Sequence, residues 1–264
     1  MFNPNELVLE KVRFVEEYDP ATKELVGRYT QIEDGSFNFS AESKEVTDAD
    51  GMTIMEFFKA RKGTFSFTNS VFSLDLLASQ FGSEKTIATG TKKLKVPVSE
   101  IIEIAADHTV KLKYIPVGVN KAEVKYVKVL NADNTMGKTY AVSPTPATDK
   151  FTINAATQTI TMPNDVTGRV FVNYEKESEN AVMLSNRSDG EPSVKELLVH
   201  VLFRHICNKN QVIAGVIRCP RAQIDPKSVE VKLTADGKHP ASYVLQKEYC
   251  SEAGTLVDVI VSED

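Results

Sequence analysis

The sequence predicts an all-β (mainly β) fold, a β-sandwich or barrel with one short flanking α-helix. Three observations lead there. Short segments that alternate apolar and polar side chains recur along the chain at the spacing of sandwich and barrel strands. Residues 63–82, GTFSFTNSVFSLDLLASQFG, turn a strand pattern into one capped helix. No fixed-period repeat and no low-complexity linker interrupts the pattern.

The elements follow in order. Residues 7–16 read as a strand with Val8, Val12 and Phe14 on one face, and Asp19-Pro20 marks a turn. Residues 25–32 return as its partner. Phe37, Phe39 and Ala41 then alternate with polar residues, so the first 43 residues read as a three-stranded meander. Residues 42–51, ESKEVTDADG, read as an exposed acidic loop. TIMEFFKAR fits either period, and its continuity with GTFSF favours a strand. Phe65 and Phe67 share a strand face. Leu74, Leu77, Ala78 and Phe81 form one helix face, with Ser70 or Ser73 as N-cap, Asp75 in the first turn and Gly82 at C′.

Lys92-Lys93-Leu94-Lys95 reads as a solvated strand edge. KVPVSEIIEI, HTVKLKYIPV and AEVKYVKVL follow as strands. Residues 131–150 read as a loop or the end of a long hairpin. FTINAATQTITMP reads as a hairpin matching Phe151 and Ile153 with Ile160 and Met162. GRVFVNYEKE places Val170, Val172 and Tyr174 on one side. VKELLVHVLFRHICN and QVIAGVIRCPRAQI suit buried strands. A turn, a strand, an Asp-Gly turn and two further strands close the chain. The length allows one elaborate β domain or two small ones; a single unit over 1–264 with an elaboration at 118–180 is the preferred division.

A chain of 264 residues buries enough surface to need neither disulfides nor metal. A net charge of −5 argues against a general nucleic-acid binder. Three cysteines, Cys207, Cys219 and Cys250, suggest reduced thiols. The N-terminus lacks a signal-peptide pattern, and no run approaches the ~18 apolar residues of a membrane span.

Candidate chemistry is sparse. His205 and Cys207 share a strand face, but the spacings of a zinc site are missing. No Gly-x-Ser-x-Gly elbow occurs. Gly137-Lys138-Thr139 lacks the phosphate-loop glycine, since Ala132 stands in its place. Thr47-Asp48-Ala49-Asp50-Gly51 opens like a calcium loop, but Phe57 stands where the glutamate is required; an acidic turn is the better reading, and a loose calcium site stays open. The residues point to no catalytic activity, no cofactor and no metal.

Three segments in order resemble the major tail tube protein of long-tailed bacteriophages: the acidic Asp-Gly turn leading into GTFSFTNSVFSLDLLASQFGS; FTINAATQTITMP with GRVFVNYEKESENAV; and IRCPRAQIDPKSVEVKLTADGKHPASYVLQKEYCSEAGTLVDVIV. The resemblance implies a structural virion protein whose copies form six-membered rings with one continuous inner β-barrel. The rings stack into a hollow tube for DNA delivery, assembled in the host cytoplasm. It implies contacts with itself and with tail terminator, tape measure and baseplate proteins, and passage of DNA without specific binding or any membrane role. Candidate assembly contacts are the arm Met1, Phe2, Asn3 and Pro4; the loop residues Glu42, Lys44, Glu45, Asp48, Asp50 and Gly51; and Asn134 and Met136 in a projecting segment. Another virion component (a capsid decoration or baseplate protein), a β-sandwich carbohydrate-active enzyme and an adhesion module are the alternatives.

Overall fold

The alternating pattern becomes nineteen strands and one α-helix in a computed structural model that describes residues 3, 5–206, 208–232, 237–247 and 254–263. In chain order the first elements are β1 (Leu7–Tyr18), β2 (Leu25–Tyr29), β3 (Ile32–Ser40), β4 (Ser43–Thr47), β5 (Thr53–Phe58), β6 (Lys62–Asn69) and α1 (Leu74–Phe81). Then come β7 (Thr86–Ile87), β8 (Leu94–Glu103), β9 (Thr109–Lys111), β10 (Tyr126–Leu130), β11 (Met136–Val142), β12 (Lys150–Asn154), β13 (Thr159–Thr161), β14 (Arg169–Ser178) and β15 (Val182–Met183). The last are β16 (Lys195–His205), β17 (Asn208–Ile224), β18 (His239–Leu245) and β19 (Asp258–Ser262). They cluster into two compact units, Met1–Lys85 with Leu184–Asp264, and Thr86–Met183.

The first unit is an eight-stranded sheet in the order β2-β1-β16-β17-β18-β6-β3, with β19 on β17. Along the edge opposite β16, strand β17 is long enough for two partners: Ala214–Arg218 pairs with β19 and Ala222–Ile224 with β18. The path curls until its ends approach, so that a Cβ on Gly35 of β3 would lie 3.4 Å from Val12 of β1. The concave side holds Val15, Phe65, Phe67, Val199, Ala222 and Tyr243 in one apolar core. Each fully buried phenylalanine there contributes about 1.5–3 kcal/mol.

The meander stops after two strands. β2 pairs with β1, but β3 pairs with β6 at the other end of the path. Alternation alone suits either neighbour; here Phe37 stands opposite Phe65 with ring centroids 4.4 Å apart, a cross-strand aromatic pair that favours β6. The single face expected for Val8, Val12 and Phe14 is also broken. Bulges leave Glu10 and Arg13 as extra residues of β1. Val12 therefore stands opposite the buried Val201 and packs on the core, whereas Phe14 stands opposite His200 and stacks on its ring at 4.2 Å.

Helix α1 has the expected caps. Ser73 accepts from the Leu76 amide, and Gly82 takes a left-handed φ of 58° where a Cβ would collide with the Glu191 carbonyl. Its buried side differs from the expected face. Leu76, Leu77 and Gln80 are buried, Ala78 and Phe81 are half-buried, and Leu74 is 40% exposed. The reason is that polar anchors help to orient the helix, and an apolar count cannot register them. Ser79 Oγ donates to Glu17 Oε2 (2.7 Å) and Gln80 Nε2 donates to the Pro240 carbonyl (2.8 Å). His239 Nε2 meets Gln80 Oε1 at 2.7 Å. Glu17, fully buried on β1, also accepts from Tyr29 on β2 (2.8 Å) and from Tyr243 on β18. Burial pushes the Glu17 carboxyl above its ordinary value, and its hydroxyl donors offset part of that rise.

The second unit is a seven-stranded sheet, β8-β14-β10-β11-β12-β13-β9, antiparallel except for β11 on β12. Val170, Val172 and Tyr174 point inward from β14, and Ile153 stands opposite Ile160 in the expected hairpin. β8 is an edge strand, with Lys92, Lys93 and Lys95 exposed beside it. Residues 131–150 contain a strand, β11, joined to β10 by a tight turn; only 143–149 remain irregular. HTVKLKYIPV contributes just the three residues of β9. Val229–Lys232 do not form the strand expected after the turn at 226–228, and Asp236 lies outside the described residues. β7 and β15 pair with each other, so the unit's entry and exit run side by side. The elaboration expected at 118–180 falls inside this unit.

Two measurements check this packing. Leu76→Asp, which places an unpaired charge in the core, lowers stability by about 4 kcal/mol or more, whereas Leu74→Asp is nearly neutral; equal thermal melts would show the face to be wrong. Glu17 has a raised folded-state pKa, so native protein holds more protons than unfolded chain above pH 4.5, and stability is lost as pH rises from there. Glu17→Gln removes that loss, and its melting temperature relative to wild type climbs from pH 4.5 toward neutrality; a flat difference refutes the assignment.

Candidate assembly surfaces

Residues 42–58 form the most exposed element of the first unit. The expected loop is one limb of a hairpin in which β4 pairs antiparallel with β5. The sequence carries the signal, Asp-Ala-Asp-Gly between two alternating runs, but the acidic charge of the first run masks it. Asp48 shapes the turn: its Oδ1 accepts from the amides of Asp50 (3.0 Å) and Met52 (2.8 Å), and its own amide donates to the Met52 carbonyl. Gly51 sits at φ 83°, which suits glycine. At the base the Glu42 carboxylate takes both Lys59 (2.9 Å) and Lys62 (2.5 Å).

Every residue of β4 and β5 is exposed. The register places Lys44 opposite Phe57 and Val46 opposite Met55 on one face, and Ser43 opposite Phe58 and Glu45 opposite Glu56 on the other. One face is thus mainly apolar, and the other sets two carboxylates directly across from each other. Phe58 is 70% exposed, Met52 69% and Ile54 65%. A two-stranded hairpin alone is marginal in water, and like charges opposite each other weaken it further. Such an arm is suited to pairing with another surface.

A second feature lies in the same unit. A groove of about 610 Å³ runs between β1 and the link from β2 to β3, lined by Lys11, Arg13, Arg28, Phe14, Ile32 and Leu202 among others, with no carboxylate in its lining. Arg28 sits over the Phe14 ring at 4.2 Å and reaches Glu16 at 3.4 Å.

The candidate contacts divide accordingly. Glu42, Lys44, Glu45, Asp48, Asp50 and Gly51 all fall in the hairpin or at its base. β5, with Met55, Phe57 and Phe58, completes the arm and was missing from that set. Asn3 is exposed, and Met1, Phe2 and Pro4 lie outside the described residues. Asn134 and Met136 belong to the second unit. Asn134 takes a left-handed φ of 64° in the β10–β11 turn and accepts from Arg169 (2.6 Å), and Met136 opens β11 exposed.

Little else on the described surface is arranged for chemistry. The Asp48 oxygen that accepts the turn amides is committed to them, and among the described residues no group of three or more His, Cys, Asp or Glu side chains is placed to hold a metal. Cys219 is buried and burial pushes its thiol up to about 12; Cys207 and Cys250 lie outside the described residues. Among the described residues no helix is long and apolar enough to cross a membrane.

Because solvent already covers the arm, Phe57→Ser and Met55→Ser change monomer stability by no more than about 0.5 kcal/mol. A clear drop in denaturation midpoint would show that the arm packs within its own chain. The profile of the YomU/Tube protein family matches residues 7–249. No curated protein matches the chain.

Proposed function

Given that the chain belongs to the YomU/Tube protein family, we propose that its copies close into rings, six to a ring, and that the rings stack into the hollow phage tail tube through which DNA is delivered. The observation that carries this reading is the β4–β5 arm, an amphipathic ribbon with both faces uncovered. A monomer has no use for it, and a neighbouring copy would cover it. The free edges of the curled sheet, β2 and β3, add to the argument, since edges joined between copies in a closed ring leave none exposed.

Charge fits the passage of DNA. Residues 86–183 hold 12 basic and 10 acidic side chains, so the total of −5 leaves −7 on the first unit. Six copies carry 6 × −5 = −30. A lumen lined by the acidic unit would repel phosphates and limit sticking during transit. In this reading the tube is assembled in the host cytoplasm, and tail terminator, tape measure and baseplate proteins meet its ends and its lumen.

Negative-stain microscopy of purified protein tests the proposal: hollow tubes of uniform width are expected. Replacing residues 43–58 by a short Gly-Ser turn leaves a folded monomer with unchanged melting and no tubes. Tubes at wild-type yield from that variant would remove the arm from assembly, and closed single rings from wild type would favour a baseplate or decoration role.

A further inference from the structure

We propose that the β4–β5 arm of one copy seats its acidic face in the Lys11–Arg13–Arg28 groove of a second copy. The inference rests on the assembly reading above and names the surface that the arm meets.

Charge is the first argument. Between Ser43 and Phe58 the arm has four carboxylates, Glu45, Asp48, Asp50 and Glu56, against the single cation Lys44, a net charge of −3. None of the four reaches a cation within 4.0 Å among the described residues, although neighbouring carboxylates of the same unit do so, as Glu42 does with Lys59 and Lys62. The groove offers the opposite: three cations and no carboxylate in its lining. Lys11 and Arg13 have no ion-pair partner among the described residues, and Arg28 keeps only Glu16.

Shape is the second argument. Glu45 and Glu56 stand opposite each other, so their side chains start about 5 Å apart and repel. Lys11 and Arg13 flank Val12 on β1, Arg13 as a bulge residue, and both side chains are exposed beside the groove. A cation placed between the two glutamates turns a destabilising pair into an attractive cluster. Phe58 shares the acidic face, and Ile32 and Leu202 give the groove an apolar part to receive its ring.

Position is the third argument and makes the contact intermolecular. The groove lies at Ile32, where β3 begins, and the arm departs just after Ser40, where β3 ends. Their β6 partners, Asn69 and Lys62, are seven extended steps apart, about 23 Å. The arm cannot fold back into the groove of its own chain without dismantling β3. A donor at one end of a strand and an acceptor at the other allow a head-to-tail contact that repeats from copy to copy, the arrangement a ring or filament needs.

Charge reversal tests the pairing. Purified Glu45→Lys/Glu56→Lys and Lys11→Glu/Arg13→Glu proteins are each expected to melt like wild type, because the four side chains are exposed, and to pellet as tubes at least about 10-fold less at physiological salt. A chain carrying all four changes restores the pairing with inverted sign, and its tube yield returns to within about 2-fold of wild type. If each reversal blocks tubes and the combined chain stays monomeric, the seat is wrong, while the arm's role in assembly stands on the loop-replacement result. If the groove reversal leaves tube yield unchanged, the groove is no seat for the arm. If the groove variant fails to fold, Lys11→Gln/Arg13→Gln takes its place, with a smaller loss of tubes expected and no loss overturning the proposal.

Discussion

The first unit depends on one buried carboxylate. Glu17 receives hydroxyl hydrogen bonds from β2, from β18 and from the helix, which are far apart in sequence. A buried, unpartnered carboxyl would be strongly destabilising, so the site tolerates Glu17 only when all three elements are in place. That makes the arrangement conditional: a sheet curled differently, or a helix turned by one residue, leaves the carboxyl without its donors. The Phe65 and Phe67 rings supply apolar stabilisation, but packing alone would accept several helix orientations. The polar cluster selects one.

The same cluster explains which parts of the fold were legible in the sequence. Strand existence was legible wherever one face is buried, because alternation is a direct record of burial; Val170, Val172 and Tyr174 are inward as read, and so is the Ile153–Ile160 pair. The helix caps were legible because Ser73 and Gly82 act locally. The helix face was not, since Gln80 and Ser79 contribute through partners more than 60 residues away. Strand neighbours were illegible for a similar reason. Nothing in β3 by itself says that Phe37 will meet Phe65 and that β2 will stay with β1. The face of β1 misled because a bulge changes the parity of a strand without changing its composition.

The arm shows the reverse problem. Its sequence is strand-like, yet no face of it is buried, so the pattern that normally marks a core here marks a surface. Apolar side chains on β5 were read correctly as a strand, while their partner strand was hidden by charge. For the groove there was no linear signal at all. Lys11, Arg13 and Arg28 come together only because β2 turns back along β1, and a groove lining without carboxylates is a property of the folded surface. Side chains that no other part of their own chain covers leave no burial pattern in the sequence to be read.

The pairing of β7 with β15 has a consequence of a different kind. The chain leaves the first unit at Lys85 and re-enters it at Leu184, with the two crossing strands hydrogen-bonded to each other. To the first unit, the 98 residues between Thr86 and Met183 therefore act as one tight staple, whatever is folded beyond it. A module attached through such a staple can be exchanged, lengthened or lost over evolutionary time at little thermodynamic cost to its host.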